Sequence, residues 1–336
     1  MKIFDQTNQT KFLEASAPFY EVYFLKFHLI EEGLAFWVRY TLHRPKNAEA
    51  HASLWAFVFD AQKPSQNGGV RLNDKVEKLR FDSSPFRLRV GENFLSNELC
   101  VGSLQKENFS LQWDLKLEGA ESPLELFPYT WMYRLKMFPK TKYVTVRPKL
   151  FFSGKVKWNG KEYFVNKTPG MQSHLWGSQH AKNFLWAHCN TFVEDSEALF
   201  EGLSACVKVG PWLSPPLGVF YIRMFGKEYF LNSPRVWFQK DIRRDLEEWN
   251  FDIRQNEDRF IGSVGADPSQ FLGVRYTDPQ GDYRYCNHTE WAMASIEHYK
   301  MEKGRWCMEG SITSKAATYE WVDSEPHKSV GVSVLG

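Results

Sequence analysis

The chain of 336 residues lacks an excess of charge of either sign, because 42 Lys and Arg residues stand against 40 Asp and Glu residues and leave a formal net charge of +2. Nucleic-acid binding needs a concentrated basic field that neutralises backbone phosphates. This composition does not supply one. We therefore expect no nucleic-acid partner.

Paired cysteines are also missing. The cysteines at positions 100, 189, 206, 286 and 307 are odd in number, and no two of them form a C-x-x-C pair. Neither a disulfide framework nor a zinc ribbon is indicated by such spacing. We expect five reduced thiols.

Long apolar runs are absent as well. The N-terminal stretch MKIFDQTNQTKFLEAS is polar, and no later window reaches the ~20 residues that a membrane-spanning helix needs. These features predict a cytoplasmic, soluble protein without stable membrane insertion. The nucleotide-binding patterns G-x-G-x-x-G and G-x-x-x-x-G-K-[ST] and the nucleophile elbow G-x-S-x-G do not occur either. We expect no cofactor.

Aromatic side chains, in contrast, are abundant, with 27 Phe, 14 Tyr and 13 Trp making up 16% of the chain. They favour strands, whose pleated surface suits aromatic and β-branched side chains. Short runs such as YEVYFLKFHLI, ASLWAFVFDA and LGVFYIRMFG recur between turn signals, many with period-two alternation. The Asn159-Gly160 and Gly226-Lys227 steps predict two-residue hairpins. The pattern predicts an all-β chain of sandwiches or closed antiparallel barrels.

Two further features bear on the organisation of the chain. Pro128, Pro139 and Pro148 are each unfavourable inside a central strand, so we place a domain boundary near residue 145, between a domain of residues 1–145 and a domain of residues 146–336. The strongest helical pattern is QKDIRRDLEEWNFDIR, residues 239–254, which is amphipathic in part. A loop beside a strand is the alternative.

The stretch GMQSHLWGSQHAKNFLWAHCNTF, residues 170–192, holds three of the nine histidines and two of the 13 tryptophans. If FLWAHCNTF is a strand, one face carries the alternating set Phe184, Trp186, His188, Asn190 and Phe192. Large aromatic rings, one imidazole and one amide suit the wall of a ligand pocket. The alternative is that the rings plug a barrel and the histidines are hydrogen-bonded core or rim groups.

Metal binding and nucleophilic catalysis are weakly indicated in this stretch. His174, His180 and His188 match no standard ligand spacing, so we expect no metal. Cys189 lies on the opposite strand face from His188. This placement favours packing as the role of Cys189.

Residues 152–192 resemble the tocopherol-cyclase and hydroxyneurosporene-synthase (AttH-like) group of lipocalin-like proteins. In that group a hairpin leads into an H-x-W-G element, matched here by HLWG at residues 174–177, and then into a strand matched by FLWAHCNTF. The stretch PFYEVYFLKF, residues 18–27, is similar to the N-terminal FFEGWYF element of the group. Glu21 stands at its Glu, and Val22 replaces its Gly.

The resemblance implies two tandem lipocalin-like antiparallel β-barrels and a hydrophobic small-molecule ligand of isoprenoid or polyketide type. Members of the group differ in chemistry, and some cyclise or hydrate a double bond by acid catalysis. Such a reaction needs an acid held in an apolar site, where burial raises the pKa of a carboxyl group. Glu21 and Glu201 are the candidate acids. For Glu201 the alternatives are a solvent-facing position or an ion pair.

The imidazoles of His174 and His188 are the further catalytic candidates. The candidate ligand-binding residues are Trp176, His180, Phe184, Trp186 and Asn190, of which the rings of Trp176, Phe184 and Trp186 could stabilise a developing carbocation. Three functions stay open: a cofactor-independent cyclase (isomerase) or hydratase (lyase), a non-catalytic carrier of a lipophilic ligand, and a scaffold of two filled barrels. Turnover that depends on a carboxyl or imidazole group distinguishes the enzyme from the carrier.

Overall fold

The structure is a computed structural model that describes residues 3–119, 121–136, 138–209, 212–237 and 241–335. It consists mostly of antiparallel strands, as the aromatic alternating runs predict. The first twelve strands are β1 (Phe19–Leu29), β2 (Leu34–Arg44), β3 (His51–Asp60), β4 (Gly68–Lys75), β5 (Leu79–Ser83), β6 (Phe86–Val90), β7 (Asn93–Ser96), β8 (Leu99–Lys106), β9 (Phe109–Glu118), β10 (Leu124–Glu125), β11 (Thr141–Trp158) and β12 (Lys161–Gly177).

The remaining strands are β13 (Asn183–Cys189), β14 (Leu199–Cys206), β15 (Lys208–Val209), β16 (Trp212–Leu213), β17 (Leu217–Met224), β18 (Lys227–Leu231), β19 (Asp241–Arg244), β20 (Glu248–Gln255), β21 (Asp258–Gly265), β22 (Leu272–Thr277), β23 (Tyr283–Glu302), β24 (Arg305–Asp323) and β25 (Val332–Leu335). The helices are short: α1 (Ile3–Thr7), α2 (Trp131–Arg134), α3 (Pro234–Trp237) and 3-10 turns at Pro64–Gln66, Val76–Lys78 and Pro268–Gln270. Among the described residues, no helix combines the length and the apolarity needed to cross a bilayer.

The strands form two large sheets and one two-stranded ribbon. The first sheet has 12 strands in the order β4-β3-β2-β1-β12-β11-β9-β8-β7-β6-β5, with β10 paired to β11. Strand β4 reaches round to β8 and β9, so this sheet nearly closes into a barrel. The second sheet has 11 strands in the order β18-β17-β14-β13-β24-β23-β21-β20-β19, with β22 on β23 and β25 on β22. The prediction of two antiparallel β structures is confirmed.

The two sheets enclose separate apolar cores and share a third. One core fills the first sheet and includes Tyr23, Phe27 and Phe36, and another fills the second sheet around Phe220 and Trp249. The third core lies between the sheets. Strands such as β1 are therefore buried on both faces, which explains why YEVYFLKFHL carries no regular polar alternation.

Strand β11 runs without interruption through Pro148, contrary to the expectation from the proline-rich segment. The pairing of β11 with β12 shifts register between Arg147 and Leu150, and proline is tolerated at such a bulge. Strands β11 and β12 both belong to the first sheet, and the chain enters the second sheet at Asn183. The division into domains near residue 145 stays a prediction.

The segment 239–254 is a strand hairpin where it is described, and the helix prediction is wrong. Strands β19 and β20 flank a turn in which the carboxylate of Asp245 accepts hydrogen bonds from the amides of Glu247 (3.1 Å) and Glu248 (2.9 Å). Trp249 and Phe251 lie on the buried face of β20. Residues 238–240 lie outside the described residues.

Hairpin turns join the long strands. At Asn159-Gly160 both residues have positive φ, 45° and 88°, as the two-residue turn requires. The second predicted turn is one residue earlier than expected, at Phe225-Gly226, with φ of 49° and 73°. All five cysteines are free, as predicted.

Candidate ligand-binding site between the two sheets

A cavity of about 850 Å³ lies between the two sheets. The first sheet contributes the rings of Tyr20, Phe24, Trp37 and Tyr143, and the second contributes those of Phe184 and Trp186. An apolar cleft of this size with a few polar groups is typical of a small-molecule site. The polar groups include Arg39, His180 and Glu320.

Strand β13 supplies one wall of the cavity through simple alternation. Phe184 and Trp186 face the cavity, whereas Leu185, Ala187 and Cys189 pack in the core of the second sheet. The predicted alternation is therefore observed within the strand. It stops where β13 ends at Cys189, so Phe192 packs in the second core instead of sharing the face of Trp186.

Glu201 lies directly behind this wall, on strand β14 beside His188. Its side chain is fully buried. The carboxyl group accepts hydrogen bonds from the Tyr143 hydroxyl, from Thr145 Oγ1 at 2.6 and 2.8 Å, and from Trp186 Nε1 at 3.1 Å. A solvent-facing position for Glu201 is therefore excluded, and two of its partners, Tyr143 and Trp186, are themselves cavity walls.

Burial dominates the electrostatics of Glu201. Removal from water raises the pKa of its carboxyl group above the ordinary value, and the hydrogen bonds from Thr145, Tyr143 and Trp186 only partly oppose this. The Tyr143 phenol is also fully buried, and burial followed by the nearby Glu201 charge raises its pKa. A carboxyl group that keeps its proton in an apolar site is a suitable general acid.

His188 and Asn190 lie deeper than the cavity and hold the two sheets together. His188 Nε2 hydrogen-bonds with the Pro148 carbonyl at 3.1 Å, and Asn190 Nδ2 donates to the carbonyls of Pro148 (3.1 Å) and Gly170 (2.8 Å). The bulge in β11 exposes the Pro148 carbonyl to both. Burial and the nearby Lys26 charge hold the pKa of His188 well below its ordinary value, so the imidazole is neutral.

Glu21 and His174 are brought together, but away from the cavity. Glu21 Oε1 lies 2.8 Å from His174 Nε2, and both side chains are fully buried inside the first sheet. The same carboxylate accepts from the Thr10 hydroxyl at 2.7 Å and from the amides of Lys11 and Phe12. Glu21 thus ties the N-terminal segment into the barrel.

The pKa of Glu21 moves in the opposite direction from that of Glu201. Burial opposes its ionisation, but the hydrogen bond and charge of His174, together with the donors of the N-terminal segment, outweigh burial and lower the pKa of Glu21. This carboxylate is a charged structural anchor. The geometry gives no support to a catalytic role for Glu21 or His174, and that role stays a prediction.

Trp176 shares the inward face of β12 with His174, to which its ring is close, with centroids 4.7 Å apart. The residue of β12 that faces the cavity is Leu175, which is opposite Val22 of β1. His180 does line the cavity. Its ring stacks on Tyr20 with centroids 4.0 Å apart, and Nδ1 lies 3.1 Å from Asp278 Oδ2.

A buried ionic network between the sheets was not anticipated from the sequence. Glu290 lies 3.6 Å from Lys26 Nζ, 3.1 Å from His28 Nε2 and 2.8 Å from His288 Nε2. The other ring nitrogen of His288 lies 2.8 Å from Glu320, which lines the cavity. A sequence signal did exist, since charged residues interrupt the apolar runs of β1 and β23 at Lys26 and Glu290.

One cluster of the described residues has donor atoms suited to a metal ion. Single ligand atoms of Cys286, His288 and Glu320 lie within 4.8 Å of one another. Burial alone would lower the pKa of His288, but the carboxylates of Glu290 and Glu320 raise it. Both ring nitrogens lie 2.8 Å from carboxylate oxygens, an arrangement that favours protons on the ring and competes with metal coordination.

The chain is similar in sequence and in fold to known proteins. A family model described as tocopherol cyclase-like matches residues 128–321. Uncharacterised proteins from two strains of Mycobacterium tuberculosis are 26% identical over 188 residues, and the match covers 56% of this chain and 56% of each relative. The chain thus matches little more than half the length of these curated relatives.

Two crystal structures share the fold over most of their length. An AttH-like protein of Nitrosomonas europaea aligns with a TM-score of 0.50 and 12% identity, covering 91% of this chain and 92% of its own. Kievitone hydratase of Nectria haematococca aligns with a TM-score of 0.53 and 10% identity, covering 95% of this chain and 91% of its own. At this identity the likeness concerns the fold.

Proposed function

Because the chain belongs to the tocopherol cyclase-like family, we propose that it is a cofactor-independent cyclase or hydratase acting on a lipophilic small molecule of isoprenoid or polyketide type in the cavity between the sheets. The observation that carries the proposal is the fully buried carboxyl group of Glu201, with its raised pKa, directly behind an aromatic cavity wall. The substrate and the reaction are part of the proposal, because proteins that share a fold do not necessarily share a reaction.

The proposed proton donor at the cavity surface is the hydroxyl of Tyr143. Tyr143 lines the cavity and hydrogen-bonds with Glu201. With Glu201 ionised the Tyr143 hydroxyl donates to the carboxylate; in the protonated state that the proposed reaction starts from, the carboxyl O–H donates to the phenol oxygen and the Tyr143 O–H turns to the cavity. In the proposed step the Tyr143 O–H bond breaks as its proton moves to a carbon of the substrate double bond, while Glu201 passes its own proton to the phenol oxygen. The π electrons form the new C–H bond, and a tertiary carbocation and a Glu201 carboxylate result.

The carbocation is then captured by an oxygen nucleophile. Attack by water gives hydration, and attack by a hydroxyl group of the substrate gives ring closure. In both cases the oxygen loses a proton, which returns through Tyr143 to Glu201 and regenerates the acid. The rings of Phe24 and Trp186 line this space, and in the proposed mechanism their π electrons stabilise the cation by attraction.

A carrier function is the second candidate. It is favoured by one observation, that Glu201 itself has no exposure and reaches the cavity only through Tyr143 and Trp186. A passive carrier would use the same aromatic walls without needing the carboxyl proton. The scaffold alternative is less favoured, because the two sheet interiors are filled but an open cavity lies between them.

The test begins with organic extraction of the purified protein and mass spectrometry of the extract, which provides a candidate ligand. Glu201→Gln should lower turnover of that molecule by about 10²- to 10⁴-fold, the usual contribution of a general acid, while its affinity changes little. Tyr143→Phe should lower turnover in the same way.

Glu21→Gln is the matched control, because it changes a buried carboxyl group outside the cavity. It should reduce stability but leave the turnover of folded protein within about twofold, since no ligand contact is lost. Unchanged turnover in Glu201→Gln and Tyr143→Phe would refute the acid mechanism. Binding without turnover in wild-type protein would leave the carrier.

A further inference from the structure

The rim of the cavity carries large apolar side chains that face solvent. Phe138 and Leu213 line the cavity, yet they remain 39% and 44% exposed. Their chain neighbours extend this surface: Trp131 is 50% exposed and Trp212 is 78% exposed. Tyr129 stacks on Trp131 with ring centroids 5.9 Å apart. Such grouped exposure marks a binding surface, because isolated chains rarely leave several large rings together in water.

The same rim is basic on one side. Arg134, Lys136 and Lys140 are exposed between the aromatic residues, and Lys182 is exposed at the cavity lining. Residues 126–160 contain no Asp or Glu, and the exposed Glu125, on which the charge of Arg134 acts, leaves three lysines in excess. The acidic rim residues Asp282 and Glu325 lie on the part of the rim built by the ends of β23 and β24. The aromatic side therefore presents a local positive field.

We propose that this aromatic and basic rim, residues 129–136 and 138–140 together with Trp212 and Leu213, docks on the surface of an anionic lipid bilayer. Trp and Tyr rings prefer the headgroup region, where one end is apolar and the other is hydrated. Lys and Arg near the same surface are attracted to anionic lipids. The two preferences coincide here in one short stretch of chain.

The exposed rim is also part of the cavity lining. Phe138 and Leu213 belong both to the exposed rim and to the cavity lining. A bilayer in contact with the rim therefore lies at the cavity entrance, and a lipophilic molecule could enter without crossing water. This inference does not depend on acid catalysis, because a carrier and an enzyme would use the same entrance.

The experiment is co-sedimentation of the full chain with two kinds of vesicle, phosphatidylcholine alone and phosphatidylcholine with about 30% phosphatidylserine. Both are measured at about 0.1 M salt, where charges near the surface still attract. Wild-type protein should bind the anionic vesicles more strongly. The double variant Trp131→Ser and Trp212→Ser should lower the partition coefficient on anionic vesicles by at least tenfold, since two rings no longer insert. Lys136→Gln should lower it about fivefold on anionic vesicles and leave neutral vesicles unaffected.

Phe164→Ser is the matched control. Phe164 is 77% exposed, but it lies near the hairpin end of β12, far along the strand from Leu175 at the cavity. Its loss should not change vesicle binding. Circular dichroism and light scattering on each variant establish that fold and oligomeric state are unchanged.

The proposal is overturned if wild-type protein stays in the supernatant with both vesicle types, or if Phe164→Ser lowers binding as much as the double variant. It is also overturned if wild-type protein is a dimer that the double variant converts to a monomer, because the rim would then be a contact between two copies. None of these results bears on turnover, so they leave the proposed chemistry untouched.

Discussion

Trp186→Ala is expected to weaken ligand binding, and to destabilise the fold less than truncation of a fully enclosed Trp does. The ring lines the cavity but is only 4% exposed. It packs edge-on against Phe24, with centroids 5.7 Å apart, and against Tyr143 at 6.2 Å. Its Nε1 donates to Glu201 at 3.1 Å. One substitution thus removes a cavity wall, part of the core between the sheets and a hydrogen bond.

The losses in binding free energy and in unfolding free energy can each be given an expected size. Loss of one large buried contact with a ligand costs about 1 to 3 kcal/mol of binding free energy, which is about 5- to 150-fold in Kd. A fully enclosed Trp replaced by Ala costs about 3 to 5 kcal/mol of unfolding free energy. The Trp186 ring already borders an open cavity, so fewer packing contacts are lost. We expect a stability cost of about 2 kcal/mol.

Trp249→Ala provides the contrast. Trp249 has no exposure and packs against Phe220 and Phe251 at 5.4 and 5.7 Å inside the second sheet. It should lose about 3 to 5 kcal/mol of stability and bind ligand as wild-type protein does. Titration with a lipophilic fluorescent probe and urea unfolding measure the two quantities. Equal probe affinity of Trp186→Ala and wild-type protein would show that this wall does not contact ligand.

The remaining predictions concern the buried ionic network. Glu290→Gln should cost about 3 to 5 kcal/mol of unfolding free energy, because it leaves Lys26 buried without its carboxylate. Glu162→Gln, which changes an exposed pair with Lys155, is the control and should cost no more than about 0.5 kcal/mol. Equal losses for the two variants in urea unfolding would contradict the prediction. Burial opposes ionisation of Glu290, but Lys26 and the hydrogen-bonded histidines hold its pKa well below the ordinary value. Its contribution to stability is therefore present above the unfolded-state pKa of about 4.3 and is lost as pH falls through the lower folded-state pKa, so the stability difference between wild type and Glu290→Gln should shrink in acid titrations. Elemental analysis of purified protein should find far less than one zinc per chain, since both nitrogens of His288 face carboxylates; stoichiometric zinc would refute this.

Local patterns predicted local structure well. The aromatic alternating runs indicated strands, Asn159-Gly160 indicated its turn, and alternation within β13 separated Trp186 from Cys189. These features depend on residues close together in the chain. The family resemblance at residues 152–192 was likewise carried by a continuous stretch.

Predictions that needed the path between elements were less successful. His174, Trp176 and Trp186 were predicted to belong to one site because they lie in one short stretch, but the chain leaves the first sheet after Gly177 and enters the second at Asn183. Alternation does not carry across such a crossing, and Leu175 takes the cavity position. Each local run shows its own charged residue, Lys26 or Glu290, but no local pattern reports that these two residues, from opposite parts of the chain, pair with each other.

Two local predictions were wrong: the helix at residues 239–254 and the strand interruption expected at Pro148. The apolar residues of segment 239–254 fitted a helical period in part, but a turn held by Asp245 divides that segment into two strands. Pro148 occupies a bulge, where a missing amide does not break the ladder. In both places the tertiary arrangement decided between local alternatives.

The cavity lies between two sheets that each have a filled core of their own. The side chains that would contact a ligand are therefore not the ones that fill those two inner cores. Residues such as Phe24 and Phe184 face the cavity from different sheets, and neither belongs to the core that closes its own sheet. A substitution on one wall can reshape the cavity while the two inner cores keep their packing. Variants with altered ligand preference are therefore best sought among cavity-wall side chains, in combinations drawn from both sheets, where changes on one surface can be compensated from the other.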